Sequence, residues 1–453
     1  MILLADPGGP GAGGDEASAG GPGADGGDRG AATLRPHAQA RIDLQAVADN
    51  VAAVRAHLRG VHPDRAVPAV LAVVKADAYG HGLVRCAAAA VAAGASFLGT
   101  ALPAEAVALR AAGVGSRVLS WLVAPGLDYA PVLAADVEVA VCSTWQLAEV
   151  VAAAEAAGSP ARVHLGVDTG LGRNGCPPAD WPDLVAATAR AQAAGAVVVE
   201  GLMSHLACAD SPEDPATDEQ LACFAWSREV AAAGGIRPAI AHLANSAATF
   251  TRPDTHGDLV RVGLACYGLS PIPQLAASPA LGLRPAMRLS ARLAGVKTVP
   301  AGHGVSYDLT YRTPVATRLG LVPLGYADGV PRAGSGVAPV LVGGAVRPIA
   351  GRVAMDQFVV DLGPDTDARP GDEVVLFGPG DDGEPTAQDW AEACGTISYE
   401  ITTRVPAHVP RVYPTPASPS LDQVPSLDQV PRPDPVPRLD PVAAAVAAVV
   451  TGG

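Results

Sequence analysis

Between residues 69 and 265 the apolar positions come in short uninterrupted runs rather than in alternation. These runs are AVLAVV (69–74), SFLGT (96–100), RVLSWL (117–122), VEVAVC (137–142), RVHLGV (162–167), VVVEGLMSH (197–205), AIAHLA (239–244) and LVRVGLA (259–265). Such runs read as strands buried on both faces. Stretches of helical composition separate most of them, at 84–94, 103–112, 144–157, 183–195 and 215–234. Eight strand-then-helix units over this length predict an α/β fold, a TIM-like (β/α)8 barrel, rather than an open sheet. The last two runs lie so close together that the helix joining them must be short.

After about residue 284 the texture changes. MRLSARLAGVKTV, RLGLVPLGY, APVLVGG, AVRPIAG, QFVVDLG and DEVVLFG are short, β-rich and separated by Gly, Pro and Asp turns. The pattern predicts four segments. Residues 1–37 form a Gly/Ala/Asp-rich tail with few large apolar side chains, expected to be disordered. Residues 38–283 form the barrel, and 284–414 an all-β C-terminal domain. Residues 415–453 form a Pro-rich tail in which SLDQVP occurs twice, from Ser420 and from Ser426.

Charge and cysteine usage narrow the function. A net charge of -14 with no basic run argues against nucleic acid as a partner. Cysteines 86, 142, 176, 208, 223, 266 and 394 form no C-x-x-C, and no His/Cys spacing points to a metal. The expectation is reduced thiols in the cytoplasm. The N-terminus lacks a basic start followed by an apolar stretch, and no uninterrupted apolar run is long enough to span a membrane.

Lysine is scarce: Lys75 and Lys297 are the only two, whereas arginine is plentiful. Arginine holds its proton near neutral pH, so it makes no Schiff base and is a poor general base. Lys75 stands at the end of the first buried run, before the glycine-bearing ADAYGHG, where α/β enzymes keep catalytic groups. Other polar or special residues fall at the equivalent ends. DTGLGR (168–173) follows the fifth run, His205 closes the sixth, and Asn245 and Ser246 follow the seventh. Arg261, Gly263 and Leu264 lie in or just after the eighth. Taken singly, His205 reads as a core histidine, DTGLGR as an ordinary turn and Asn245-Ser246 as a helix N-cap. Arg261 within an apolar strand needs a partner for its buried charge. Barrels bind phosphate at the loops after their last two strands. A lysine, a phosphate site and apolar walls together point to pyridoxal 5'-phosphate.

AVVKADAYGHG, VDTGLGR, MSHLA, HLANSAA, RVGLACYG, GVSYD, LGYADG, GRVAMDQ and TISYEI occur in this order. Together they resemble alanine racemase, from about Ala38 to Tyr413. The resemblance implies an enzyme with pyridoxal 5'-phosphate bound to Lys75, interconverting L- and D-alanine and supplying D-alanine for peptidoglycan. It implies phosphate contacts from Tyr79, Tyr399, Ser246, Gly263 and Leu264, with Asn245 alongside. Arg261 would face the pyridine nitrogen, His205 would bridge Arg261 towards Tyr307, and Arg173 would support the phenolic oxygen. Tyr307, Met355 and Asp356 would come from the partner subunit of a homodimer, and Tyr326 would line the entrance.

Racemisation removes a proton from one face of Cα and returns it to the other, so two bases are wanted, here Lys75 and Tyr307. A guanidinium at the ring nitrogen cannot give up its proton, which leaves that nitrogen unprotonated and the cofactor a weaker electron sink. Rival readings are a broader-specificity amino-acid racemase, a decarboxylase of this fold, and a non-enzymatic pyridoxal-phosphate carrier. Arg261 disfavours the decarboxylase, and the β-rich second segment disfavours the carrier. The resemblance departs at Gly166, where many members carry a lysine that can be carbamylated beside the active-site arginine. Arg173 then keeps its charge with one fewer anionic partner in a site expected to be poorly hydrated; the expectation is that chloride or a bridging water takes that space and holds it, the alternative being that Arg173 swings away.

Overall fold

Strand β1 (Ala38–Ile42) is the first element among the described residues and belongs to a sheet outside the barrel. The eight apolar runs follow as β2 (Ala69–Val73), β3 (Phe97–Thr100), β4 (Arg117–Ser120), β5 (Glu138–Val141), β6 (Ala161–Gly166), β7 (Val197–Met203), β8 (Ile240–His242) and β9 (Leu259–Val262). They make one parallel sheet of order β8-β7-β6-β5-β4-β3-β2-β9. β3, β5, β8 and β9 are buried along their whole length, as unalternated apolar runs require. The sheet closes between β8 and β9, where the N–H of Asp258 donates to the carbonyl of Ala241 and that of Arg261 to Ala244, each at 2.9 Å. The result is a (β/α)8 barrel with its helices outside. A computed structural model describes residues 36–414, so the expectations for both tails lie outside the described residues.

The helices start and stop where their chemistry dictates. The Asp43 carboxylate accepts the N–H of Ala46 to open Leu44–Val61. The Ser143 hydroxyl does the same for Thr144–Ala157, and left-handed Gly158 ends it. The crossover from β8 to β9 holds only the helix Ser246–Thr251 and a single 3-10 turn, as the tight spacing demanded. Among the described residues, no helix is long and apolar enough to cross a membrane.

The remaining strands are β10 (Met287–Arg292), β11 (Gly295–Val299), β12 (Gly304–Val305), β13 (Tyr311–Arg312), β14 (Thr317–Val322), β15 (Pro339–Val342), β16 (Ala345–Pro348), β17 (Phe358–Gly363), β18 (Glu373–Phe377) and β19 (Arg411–Val412). They form a six-stranded sheet of order β16-β15-β18-β10-β1-β19, a three-stranded sheet β11-β14-β17 and the hairpin β12–β13. β1 pairs antiparallel with β10 and parallel with β19, although its sequence position groups it with the barrel. The C-terminal part also contains two helices that an all-β reading omits, Ala387–Cys394 and Ser398–Thr403. The first is announced by a capping box, in which Thr386 and Asp389 each accept the other's backbone N–H. The second leans on the barrel mouth: the Tyr399 and Tyr79 ring centroids are 5.9 Å apart. The C-terminal elements therefore grip the rim where the chemistry-bearing residues gather.

Candidate active site

Lys75 follows β2 after a single residue, Val74, and the backbone then does something unusual. Ala76, Asp77, Ala78 and Tyr79 all lie near φ +54°, with values of 55, 53, 54 and 55°, a single left-handed turn made without glycine. Left-handed backbone destabilises L-residues by about 1–2 kcal/mol each. Several bonds offset this. Glu105 Oε1 accepts the N–H of Ala76 at 2.6 Å, and Asp77 Oδ1 accepts that of Leu83 at 2.7 Å. Arg411 Nε donates to the carbonyl of Gly80 at 3.0 Å, and the Tyr413 hydroxyl to that of His81 at 3.1 Å. A strained segment held from several sides is a common feature of reactive sites.

The turn sends Tyr79 across the barrel mouth. Its hydroxyl lies where a side chain at Gly263 would begin: a Cβ there would fall 2.2 Å from it. Only glycine permits this approach. The N–H of Gly263 donates to Ser246 Oγ at 2.8 Å. Asn245 Oδ1 accepts the N–H of Ala248 at 3.0 Å, so this side chain caps the helix that Ser246 begins. Leu264 opens the 3-10 turn Leu264–Tyr267. Two hydroxyls and the N–H groups opening two short helices thus converge, a donor set suited to a phosphate group. Burial pushes the Tyr399 phenol up to about 12 and raises that of Tyr79 further. Both stay protonated and act as hydrogen-bond donors.

Arg261 is buried on β9 without a carboxylate beside it. One terminal nitrogen donates to the His242 carbonyl at 2.9 Å and to His242 Nδ1 at 3.1 Å. The other donates to the carbonyls of Ser204 at 2.6 Å and Leu243 at 3.2 Å, and to His205 Nδ1 at 3.1 Å. Its Nε–H makes no hydrogen bond among the described residues. A guanidinium held by its two ends with its third donor free is built to meet an acceptor from elsewhere. Burial, with the charges of Arg261, Arg173 and Lys75, lowers His205 to about 3, so its imidazole is neutral.

Burial lowers the Lys75 ammonium below its ordinary value, Arg173 adds to the effect, and Glu105 opposes it. The lowered value favours the neutral amine that a Schiff base or a general base requires. In apoprotein, Arg173→Met is therefore expected to move the pH midpoint of Lys75 modification by an amine reagent upward. Glu105→Gln is expected to move it downward. With only one other lysine, Lys297, mass spectrometry reads both shifts against an internal control.

Arg173 sits in the loop after β6. Asp168 Oδ1 folds this loop by accepting the N–H groups of Gly170 at 3.0 Å and Gly172 at 3.1 Å. The side chain is exposed, so water screens its charge and the poorly hydrated setting expected for it is not found. Nor is there free space beside buried Gly166, because a Cβ there would meet Cys142 Sγ at 2.6 Å. The sulfur takes the place that the sequence reading left for an ion or water.

Tyr307, Tyr326, Met355 and Asp356 are not in this cluster. They are exposed on the C-terminal domain, with Tyr307 at 67 %. Their loops are tied together: the N–H of Tyr326 donates to Ala354 at 3.1 Å, that of Ala327 to Met355 at 2.9 Å, and Ser306 Oγ to the Arg352 carbonyl at 2.6 Å. No hydrogen bond or ion pair among the described residues joins them to Lys75 of the same chain. Sequence reasoning passed over Glu105, His242, His164 and Glu138. The last three carried a signal, being polar residues inside otherwise apolar barrel strands.

Comparison with known proteins agrees over the whole described region. Residues 42–271 match the family Alanine racemase, N-terminal domain, and residues 286–413 match Alanine racemase, C-terminal domain. Alanine racemase of Streptomyces coelicolor is 56% identical over 381 residues, covering 83% of this chain and 95% of that protein. The Thermobifida fusca alanine racemase is 54% identical over 376 residues, covering 83% and 98%. The crystal structure of alanine racemase from Streptomyces lavendulae, a D-cycloserine producer, superposes with a TM-score of 0.82 at 55% identity, covering 84% of this chain and 98% of that one. With both family domains matched in order on a barrel whose mouth gathers a lysine, a set of hydroxyl and N–H donors and a buried arginine, this chain belongs to the alanine racemase family.

Proposed function

We propose that the protein interconverts L- and D-alanine with pyridoxal 5'-phosphate held at the barrel mouth, Lys75 and Tyr307 acting as its two bases. The observation that carries this reading is Arg261, fixed by both terminal nitrogens while its Nε–H is left for a ring nitrogen. When bound, the cofactor supplies an electron sink for the electrons left on Cα. Lys75 anchors it and exchanges a proton at one face of Cα. Tyr79, Ser246, Gly263, Leu264 and Tyr399 hold the phosphate, and Asn245 orients the helix behind it. Arg173 supports the phenolic oxygen.

Tyr307 serves the opposite face, and it comes from a second copy of the chain. Its exposure, and that of Met355, Asp356 and Tyr326 beside it, supports a homodimer in which each C-terminal domain completes the partner's site. His205 links the two halves. Its Nδ1 accepts from Arg261, so the neutral ring carries its proton on Nε2 and presents a donor to the Tyr307 oxygen. The supply of D-alanine for peptidoglycan and a cytoplasmic location follow from the same reading.

Purified protein given L-alanine or D-alanine should reach the same equal mixture, read on a chiral column, with other amino acids turned over more slowly. Faster loss of optical activity with a larger side chain would favour the broader-specificity racemase. The phosphate cradle has its own test. Gly263→Val drives side-chain carbons into the Tyr79 hydroxyl, an overpacking of about 1–3 kcal/mol. It should weaken pyridoxal-phosphate binding about 10- to 100-fold in a fluorescence titration of apoprotein.

A further inference from the structure

The barrel interior holds a line of polar side chains that the proposed chemistry does not use. Glu138 opens β5, His164 lies on β6 and His242 on β8, and all three are buried. Glu138 Oε2 is 2.8 Å from His164 Nε2, and His164 Nδ1 is 2.9 Å from His242 Nε2. His242 Nδ1 is 3.1 Å from Arg261. β7 runs between β6 and β8, and its residue opposite His164 is Gly201. A Cβ there would stand 2.2 Å from His164 Nδ1, so the missing side chain at 201 is what lets the two histidines meet.

Only one arrangement of protons fits this line. Arginine always donates, so His242 Nδ1 must accept and its proton sits on Nε2. That proton points at His164 Nδ1, which must also accept, leaving the His164 proton on Nε2 facing Glu138. The reverse arrangement would set a His242 N–H against an Arg261 N–H. A carboxylate at the far end enforces the same direction as the arginine at the near end. Glu138 is secured as that acceptor by Arg117 at 2.5 and 2.8 Å and Arg162 at 3.0 Å. Glu200, paired with both arginines, brings their charges and the two carboxylates to balance. Burial pushes the Glu138 carboxyl up, and the bonds from His164 and Arg117 outweigh it, leaving it at about 2.

We propose that Glu138 is a positioning residue for the reaction: through His164 and His242 it imposes one hydrogen-bond direction from the foot of the barrel to Arg261, and so holds the Arg261 Nε–H on the cofactor's ring nitrogen. The inference rests on the reading of Arg261 given above. What Glu138 supplies is direction rather than net charge, because its own charge is already offset.

Histidine labelled with isotopic nitrogen, observed by NMR in the apoprotein, tests this without reference to activity. His164 and His242 should each be neutral, with the proton on Nε2 and Nδ1 unprotonated. Glu138→Gln can turn an amide N–H towards His164 Nε2, so His164 should lose its single tautomer, and an N–H on its Nδ1 would then oppose that of His242. In the reconstituted enzyme kcat should fall about 10-fold with KM for alanine unchanged, as for a misplaced group that binds no substrate. Gly201→Ala parts the two histidines while leaving Glu138 with its arginines, and should shift the His242 Nε2 resonance, whose N–H loses its acceptor. A His242 proton on Nδ1, a doubly protonated His242 at neutral pH, a His164 tautomer unchanged in folded Glu138→Gln, or a His242 Nε2 resonance unmoved in folded Gly201→Ala would overturn the proposal. If the variants do not fold, the tautomers of the unaltered protein decide. Failure of the Arg261 reading shows separately, as His242 resonances that do not move when pyridoxal phosphate is added.

Discussion

Lys75→Ala is expected to purify as a folded, colourless protein with no measurable interconversion of alanine. Two losses combine. Without the amine the cofactor has no covalent anchor, so the yellow colour of a lysine-bound pyridoxal phosphate should be absent. Without the base one face of Cα goes unserved, and a general base alone contributes about 10²–10⁴-fold. The other lysine provides the control: Lys297 is exposed on β11, and Lys297→Ala should keep both colour and turnover. Colour and activity surviving in Lys75→Ala would sink the central assignment. Visible absorbance and a chiral assay on the same preparation settle it.

Tyr307→Phe is expected to break the symmetry of the reaction while leaving the cofactor bound. The substitution removes one oxygen from a side chain that is exposed on its own chain, so folding should be untouched. Exchange of the Cα hydrogen with deuterated solvent should then drop by about 10²–10⁴-fold for one enantiomer and far less for the other. Equal losses for both enantiomers in Tyr307→Phe would point to a single base. The same variants probe assembly. Each inactive protein alone lacks one base at every site. Mixed dimers of Lys75→Ala with Tyr307→Phe place both defects in one site and leave the second intact. Partial recovery of activity on mixing, absent when either variant is mixed with itself, is the signature of a site shared between subunits.

The two lysines show how a residue's chemistry can be read before its surroundings. Lys75 stood out because arginine serves for charge nearly everywhere else, and because it ends a run with no polar alternation. Both properties are local. The same holds for the eight barrel strands, whose burial on two faces leaves an unbroken apolar trace, and for the short crossover before β9, which chain length alone demanded. The gathering of Lys75, His205, Ser246, Arg261 and Gly263 at one mouth follows from a rule of topology, since parallel strands of a barrel all end on the same face.

Other features depend on partners far away in the chain and leave no local mark. β1 precedes the barrel in sequence yet pairs with β10 and β19, because its half-buried edge is completed only by strands roughly 250 to 370 residues later. The left-handed turn from Ala76 to Tyr79 contains no glycine to announce it, and is stable only because Glu105, Arg411 and Tyr413 reach it from other elements. The place of Gly166 reads in sequence as an emptied site, and in three dimensions it is filled by the sulfur of Cys142, which follows the neighbouring strand β5. By itself, then, the sequence determined the element types and order of the barrel and the inventory of reactive groups, because periodicity, chain length and residue chemistry act over short distances. The tertiary structure decided which polar groups are satisfied and which donor is left over. The spare Nε–H of Arg261 and the line from it to Glu138 exist only because closing the barrel brings strands β5, β6, β8 and β9 around one interior, where every buried donor must find an acceptor.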